Sequence, residues 1–300
     1  MKILIIGHKG NLGTQLMEVF SQWEPIGWDL EQIDITDEKQ VKNKLRKLRP
    51  DFVINASAYN AVDKCEEKQG YELARKVNGF GPGYLAKVCE KIGADLVHYS
   101  SDYVFDGEKI EGYKEDDTPN PIQNYGRTKL LGENQILANT QKYFIIRVSK
   151  LFGPPGKSEA AKKSFVDIMF DLAKKESTIR VVDEEVSCFT YTKDLALATR
   201  NLLGISERLE FSNYHLNNPN ELYVDKKPYG IYHIVNEGPC TWYECAKRLF
   251  EMAKEEVNLI PVTKDEFPRP AKRPQYSVLL NTRLSRLRRW DKAAAEYLTG

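Results

Sequence analysis

The chain has 300 residues, with 44 lysines and arginines against 43 aspartates and glutamates, for a formal charge of +1. That balance leaves no electrostatic case for nucleic acid or an anionic membrane, and the length fits one large α/β domain or two smaller ones. Five cysteines (Cys65, Cys89, Cys188, Cys240, Cys245) form no CxxC pair, so buried thiols in a reducing cytoplasm are expected rather than a disulfide framework.

Residues 2–6 read as an apolar strand running directly into Gly7, Gly10 and Gly13. A GxxGxxG turn after a strand lets the backbone approach a pyrophosphate and aims a helix N-terminus at the anion. Leu12, Leu16, Val19, Phe20 and Trp23 then recur at helical spacing. A second strand over 25–29 ends at Asp29, where a carboxylate can accept both ribose hydroxyls of an adenosine and repel a 2′-phosphate. NADH is therefore favoured over NADPH. Asp37 reads as a helix N-cap, whereas Asp34 and Ile35 are placed to meet an adenine.

Further strands are predicted over 51–56, 94–100 and 143–148, with a less regular helical pattern through Leu73, Val77, Leu85 and Val88. This alternation predicts right-handed βαβ units and a Rossmann-type doubly wound parallel sheet. After Leu151 the pattern loosens. Residues 153–163 read as a loop, and 206–228, with Asn213, Asn217, Asn218 and Asn220, as a polar excursion. Strands over 179–182 and 230–235, with a helix over 242–255, are expected to form a smaller C-terminal lobe. Residues 1–150 would then be an NAD(P)-binding domain, and 151–300 mainly a substrate-binding lobe with segments returning to the first. No apolar run reaches bilayer length, so no membrane partner and a cytoplasmic location are expected. The basic run of Arg269, Lys272, Arg273, Arg283, Arg286, Arg288 and Arg289 is either a solvated face or a surface for an anion.

The strand over 94–100 ends in Ser100, Ser101 and Asp102, at the carboxyl edge where parallel sheets bind ligands. Tyr125 and Lys129 follow, four residues apart and so on one helix face. A free phenol has a pKa of about 10, and a neighbouring ammonium is expected to lower it. The set implies carbonyl reduction, with Tyr125 as proton donor, Lys129 on the nicotinamide ribose, and Ser101 orienting the carbonyl oxygen. The four histidines (His8, His98, His215, His233) show no metal-ligand spacing. No metal is expected, and His98 reads as a satisfied strand histidine.

These motifs, together with residues 53–66 (VINASAYNAVDKCE), 100–107 (SSDYVFDG), 125–133 (YGRTKLLGE), 241–244 (TWYE) and 267–279 (FPRPAKRPQYSVL), resemble the dTDP-4-dehydrorhamnose reductase family of extended short-chain dehydrogenase/reductases. The resemblance covers nearly the whole chain. It implies an NADH- or NADPH-dependent reductase of a nucleotide-linked 4-keto-6-deoxysugar, with a homodimer as a candidate assembly. It also implies that Gly10, Asn11, Leu12, Asp29, Asp34, Ile35, Ala58, Tyr59, Asn60 and Tyr99 line the cofactor, and that Val62, Ser101 and Asp102 face the substrate alongside Tyr125. Other nucleotide-sugar ketoreductases, epimerases and dinucleotide-binding regulatory subunits share these features.

Three departures fall on the substrate side. Lys150 stands where the family has an aromatic residue packing on the substrate, Ser187 and Phe189 replace Gly and Pro, and the 153–163 and 206–228 stretches are long. Lys150 is expected either to reach the substrate diphosphate or, as the favoured reading, to extend to solvent while Phe152 fills its place.

Overall fold

The first strand shows how the sequence builds its layers. In β1 (Ile3–Ile6) every residue is buried. Because side chains alternate across a strand, Ile3 and Ile5 join one apolar cluster and Leu4 and Ile6 another. A strand apolar on both faces must be covered on both, as parallel sheets are.

The computed structural model describes residues 1–158, 161–206 and 225–299. The elements that follow β1 are α1 (Asn11–Val19), β2 (Ile26–Trp28), α2 (Glu38–Leu48), β3 (Phe52–Asn55), α3 (Lys68–Ala74), α4 (Gly81–Ile92), β4 (Asp95–Ser101), α5 (Asn124–Leu137) and β5 (Tyr143–Val148). Then come β6 (Leu151–Phe152), α6 (Phe165–Ala173), β7 (Thr178–Val182), β8 (Thr190–Tyr191), α7 (Thr192–Leu202), β9 (Gly230–His233), α8 (Trp242–Ala253), β10 (Asn258–Val262) and α9 (Trp290–Thr299).

The central sheet has six strands in the order β2-β1-β3-β4-β5-β9, all parallel. Leu12, Leu16 and Phe20 of the α1 region and Leu195 and Leu202 of α7 cover one face. Val41 and Leu45 of α2 and Leu85 and Val88 of α4 cover the other. The strand order reverses at β1, with β2 on one side and β3 on the other, which opens a crevice at the carboxyl ends of β1 and β3. Asp37 caps α2 by accepting from Gln40 N at 3.0 Å, as expected. Between α3 and α4 the chain makes a wide π turn, Arg75–Phe80, which is why Leu73, Val77, Leu85 and Val88 miss a strict helical period.

The smaller lobe packs Phe152, Phe165, Phe189, Tyr191, Trp242 and Trp290 between two short parallel pairs, β6–β8 and β7–β10, and helices α6, α8 and α9. One expectation needs correcting here. Residues 230–233 do not build this lobe: β9 pairs with β5 at the edge of the central sheet, from Phe144↔Gly230 to Arg147↔His233. The strand that pairs with β7 is β10, which is mostly exposed and contains Pro261 and so carries no alternating signal. The polar excursion over 206–228 lies mostly outside the described residues.

The six arginines of the basic run are paired within the chain, and Lys272 is exposed. Arg269 meets Glu185, Arg273 meets Asp63, Arg283 meets Asp116, Arg286 meets Glu237, Arg288 meets Asp194 and Glu296, and Arg289 meets Asp291. Among the described residues no helix is long and apolar enough to cross a membrane.

Candidate active site

The glycine turn sits at the strand-order reversal. Gly7 has φ +80°, and a Cβ there would lie 2.7 Å from Ser57 N at the end of β3. A Cβ on Gly13 would come within 2.0 Å of Gly7 O. Neither position admits a side chain, so the turn stays open and backbone-lined. Gly10 leads into α1 with no side-chain cap, which leaves the first-turn N–H groups directed at an anion. Asp29 ends β2 beside the turn, accepting from Lys9 N at 3.2 Å and Leu30 N at 3.0 Å. The Lys9 ammonium is paired with Glu31 at 2.7 Å, which raises its pKa. A cradle that any Cβ would fill, an uncapped helix start and a carboxylate at the second strand end suit the pyrophosphate and ribose of a dinucleotide.

Two supporting residues, Gly156 beside this turn and Asn78 against the 58–60 loop, leave little signal in the sequence. Gly156 lies against the turn so closely that a Cβ would be 2.6 Å from Lys9 O, and Lys157 N donates to the same oxygen at 2.7 Å. Asn11 holds this segment from both ends, its Oδ1 accepting from Gly156 N and its Nδ2 donating to Lys162 O. Asn78, fully buried in the π turn, accepts from Tyr59 N at 2.8 Å and donates to Tyr59 O and Thr128 Oγ1. It thereby ties the loop of Ala58, Tyr59 and Asn60 to α5. An asparagine inside an irregular helical pattern was the only hint.

Three other expected cofactor residues already have partners within the chain. Asp34 Oδ1 is engaged by Thr36 N and Oγ1, both at 2.8 Å. Ile35 is buried in the core against Gly81. The Tyr99 ring points into the α7 layer, its hydroxyl 2.7 Å from Thr199 Oγ1, and its carbonyl accepts from Lys129 Nζ.

Ser101 ends β4, and Tyr125 lies in the first turn of α5. Gly126 brings them together: its Cβ would be 1.9 Å from Tyr103 O, so only glycine lets α5 start against the 102–104 turn. Gln123 caps α5 by accepting from Gly126 N at 2.7 Å. Ser101 Oγ donates to Asp102 Oδ1 at 2.9 Å and also meets the Tyr125 phenol. The same hydroxyl also accepts from Tyr103 N at 3.2 Å and acts on the phenol in the direction of phenolate, against burial and the Asp102 charge.

Asp102 is buried and also accepts from Ser149 Oγ at 2.8 Å and Ser277 Oγ at 2.7 Å. Burial raises its pKa against these three bonds. Its reach to the cleft is through Ser101. Val62, half-buried, precedes a turn whose Asp63 binds Arg273 and Ala271 N, which brings the 269–279 segment to the site's rim.

Lys129 is buried, and burial lowers its pKa to about 8. Its Nζ donates to Tyr99 O at 2.6 Å. The expected lowering of the Tyr125 phenol by this ammonium is not what the geometry gives. Burial, then the charge of Asp102, push the phenol above its ordinary value, because Lys129 is aimed at the Tyr99 carbonyl. The phenol is thus held in its proton-bearing form. Behind it, Glu133 of α5 accepts from Arg147 Nε at 3.0 Å, from Arg147 Nη2 at 2.7 Å and from Ser100 Oγ, all buried. His98 accepts from Asn55 Nδ2 at 3.1 Å through Nδ1, while its Nε2 has no hydrogen-bond partner, so it is only half satisfied.

Lys150, half-buried, folds onto the smaller lobe rather than standing free in solvent, and Phe152 does not take its place, being buried against Tyr191. The Lys150 ammonium lies 3.5 Å from the centre of the Trp242 ring and 5.0 Å from that of Phe189. The TWYE segment explains the position: Thr241 and Glu244 form a capping box, which fixes Trp242 at the start of α8. Ser187 bridges to Cys240, and Phe189 is buried in the lobe core.

A family model described as RmlD substrate binding domain matches residues 1–300. The spore coat polysaccharide biosynthesis protein SpsK of Bacillus subtilis is 35% identical over 99% of this chain and 96% of that protein. A dTDP-4-dehydrorhamnose reductase structure from Clostridium acetobutylicum aligns with TM-score 0.87 and 37% identity, covering 100% of this chain and 99% of the other. One from Bacillus anthracis, in complex with NADP, aligns with TM-score 0.86 and 32% identity, over 99% and 98%.

Proposed function

The chain belongs to the dTDP-4-dehydrorhamnose reductase family, and we propose that it reduces the 4-keto group of a nucleotide-linked 6-deoxysugar, converting dTDP-4-dehydro-L-rhamnose to dTDP-L-rhamnose with NADH or NADPH. The observation that carries this reading is the meeting of Ser101 and Tyr125 beside buried Lys129, at the carboxyl edge of the sheet that bears the glycine turn.

A nicotinamide held by the glycine turn, Asp29 and Lys129 would supply the hydride for the carbonyl carbon. Ser101 and Tyr125 are the hydroxyl donors for the carbonyl oxygen, and Tyr125 gives its proton as that oxygen becomes an alkoxide. The resulting phenolate is the form that the Ser101 hydroxyl favours, one helical turn from the Lys129 ammonium that is bonded to the Tyr99 carbonyl. Lys129 also holds the nicotinamide ribose. To donate to the carbonyl oxygen, Ser101 turns its hydroxyl from Asp102, which keeps its bonds from Ser149 and Ser277. Asp29 takes the adenosine ribose, and the Gly10–Gly13 turn takes the pyrophosphate. Val62 lies on the sugar-nucleotide side.

The test is consumption of NADH and NADPH with a panel of 4-keto nucleotide sugars. Stoichiometric oxidation with dTDP-4-dehydro-L-rhamnose is expected. Sugar conversion without net oxidation would make the protein an epimerase, and binding with no turnover a regulatory subunit. A cytoplasmic location is supported by five cysteines that are all free and buried. The proposed homodimer is checked by sedimentation.

A further inference from the structure

Lys150 joins the catalytic hydroxyls to the aromatic core of the smaller lobe. It follows Ser149, whose hydroxyl shares the Asp102 carboxylate with Ser101. Its φ of +37° is left-handed, a conformation that costs a lysine about 1–3 kcal/mol and that the surroundings must enforce. The turn carries the side chain onto Trp242 and Phe189. Trp242 is itself fixed, donating from Nε1 to Glu185 Oε2 at 2.9 Å, while Arg269 takes Oε1 of the same carboxylate.

The ammonium therefore lies on ring faces and forms no direct ion pair among the described residues, while the Glu185 charge acts on it from a distance. Glu185 Oε1 and Oε2 are committed elsewhere, and Lys150 reaches only the Glu185 carbonyl, at 3.4 Å. An ammonium has three donors, and this one makes a single long bond among the described residues. Aromatic faces orient a cation without satisfying its N–H groups. The charges of Glu185 and then Asp102 act on it, and the hydroxyl of its chain neighbour Ser149 binds Asp102 at 2.8 Å, so it lies beside the site.

We propose that Lys150 is a specificity-determining residue of the sugar subsite, donating hydrogen bonds to hydroxyl oxygens of the sugar ring next to the carbonyl that is reduced. The inference rests on the nucleotide-sugar reading above. An aromatic plane at this position offers stacking area and no donor. A clamped ammonium offers directional bonds, and a site built to bond hydroxyls rejects a ligand that lacks them. The diphosphate is the lesser candidate, because Lys150 is placed by Ser149 and Asp102 at the reacting end of the sugar.

The test uses equilibrium binding of dTDP and of dTDP-L-rhamnose to the full-length protein, which needs no turnover. For Lys150→Met, affinity for dTDP-L-rhamnose should fall about tenfold or more while affinity for dTDP stays within about twofold. Lys150→Arg, which keeps the charge, should recover part of the sugar contribution. The wild-type sugar contribution should shrink as the pH rises past about 8, where the ammonium is lost; that of Lys150→Met should not. Equal losses for both ligands, vanishing at high salt, would move Lys150 to the diphosphate and overturn the proposal. Unchanged affinities in a variant with a wild-type circular dichroism spectrum would overturn it as well. A wild-type protein that bound dTDP but gained nothing from the sugar would refute the inference alone. One that bound neither would refute the substrate reading and the inference with it.

Discussion

Tyr125 is asked for one thing, a proton, and its surroundings keep that proton on. Burial and the nearby Asp102 charge both disfavour phenolate. Tyr125→Phe should therefore leave cofactor affinity unchanged and lower kcat by roughly 10²–10⁴-fold, read by steady-state kinetics beside a cofactor titration. At the other end of the crevice, Asp29 and Glu31 flank the adenosine side, and the Lys9 ammonium is already paired with Glu31. A 2′-phosphate would meet carboxylates with no free cation in that cluster. The wild-type protein should use NADH at least as well as NADPH, and Asp29→Ala should raise the NADPH/NADH ratio of kcat/KM. The NADP bound in the Bacillus anthracis relative makes parallel KM measurements decisive, since a strong wild-type preference for NADPH would remove Asp29 from the ribose.

At the scale of elements, α5 is the part that must be in register. Two contacts set it: Gly126 against Tyr103 O, and the buried Glu133–Arg147 pair that reaches Ser100 beside the catalytic serine. Gly126→Ala would place a methyl 1.9 Å from a carbonyl oxygen, and neither backbone segment can yield without moving Tyr125. Activity should collapse while far-ultraviolet circular dichroism stays native; retained turnover would mean that the first turn is free to slide. Glu133→Leu removes one partner of a buried ion pair and strands the Arg147 guanidinium. A loss of about 3–5 kcal/mol is expected, measured by urea unfolding.

Across the whole molecule, Lys150 and Lys129 make stability depend on pH in an uncommon direction. Burial lowers the Lys150 pKa to about 8 from an ordinary value of 10.5. Below about 8 the group is charged in both states, and the folded state carries the cost of partly burying it. Between about 8 and 10.5 the unfolded chain binds more protons, so the folded state gains stability as pH rises. The stability of wild type relative to Lys150→Met should therefore increase across that window and be flat below it. Urea midpoints at several pH values would show this, and a difference independent of pH would mean that the ammonium is solvated.

Much of this protein was legible without coordinates, because local chemistry determined it. The strands around residues 3–6, 26–28, 52–55, 95–101 and 143–148 follow from short apolar runs between helical periods, and the parallel sheet follows from their alternation. The glycine turn, the Asp37 cap and the Tyr125–Lys129 spacing are likewise fixed by residues close in sequence. Tertiary structure decided what depends on distant partners. It sent β9 to the central sheet rather than the smaller lobe, because β5 offered an open parallel edge. It buried Asp102 under hydroxyls from positions 101, 149 and 277, made Asn78 a clamp on the 58–60 loop, and turned Lys129 towards the Tyr99 carbonyl. It also drew Lys150 inward, since Trp242 and Phe189 become neighbours of position 150 only once α8 and the 187–191 segment pack beneath it. Hydrogen bonds and ring contacts between residues tens to hundreds of positions apart leave no periodic trace in a sequence, and these are what give the site its electrostatics.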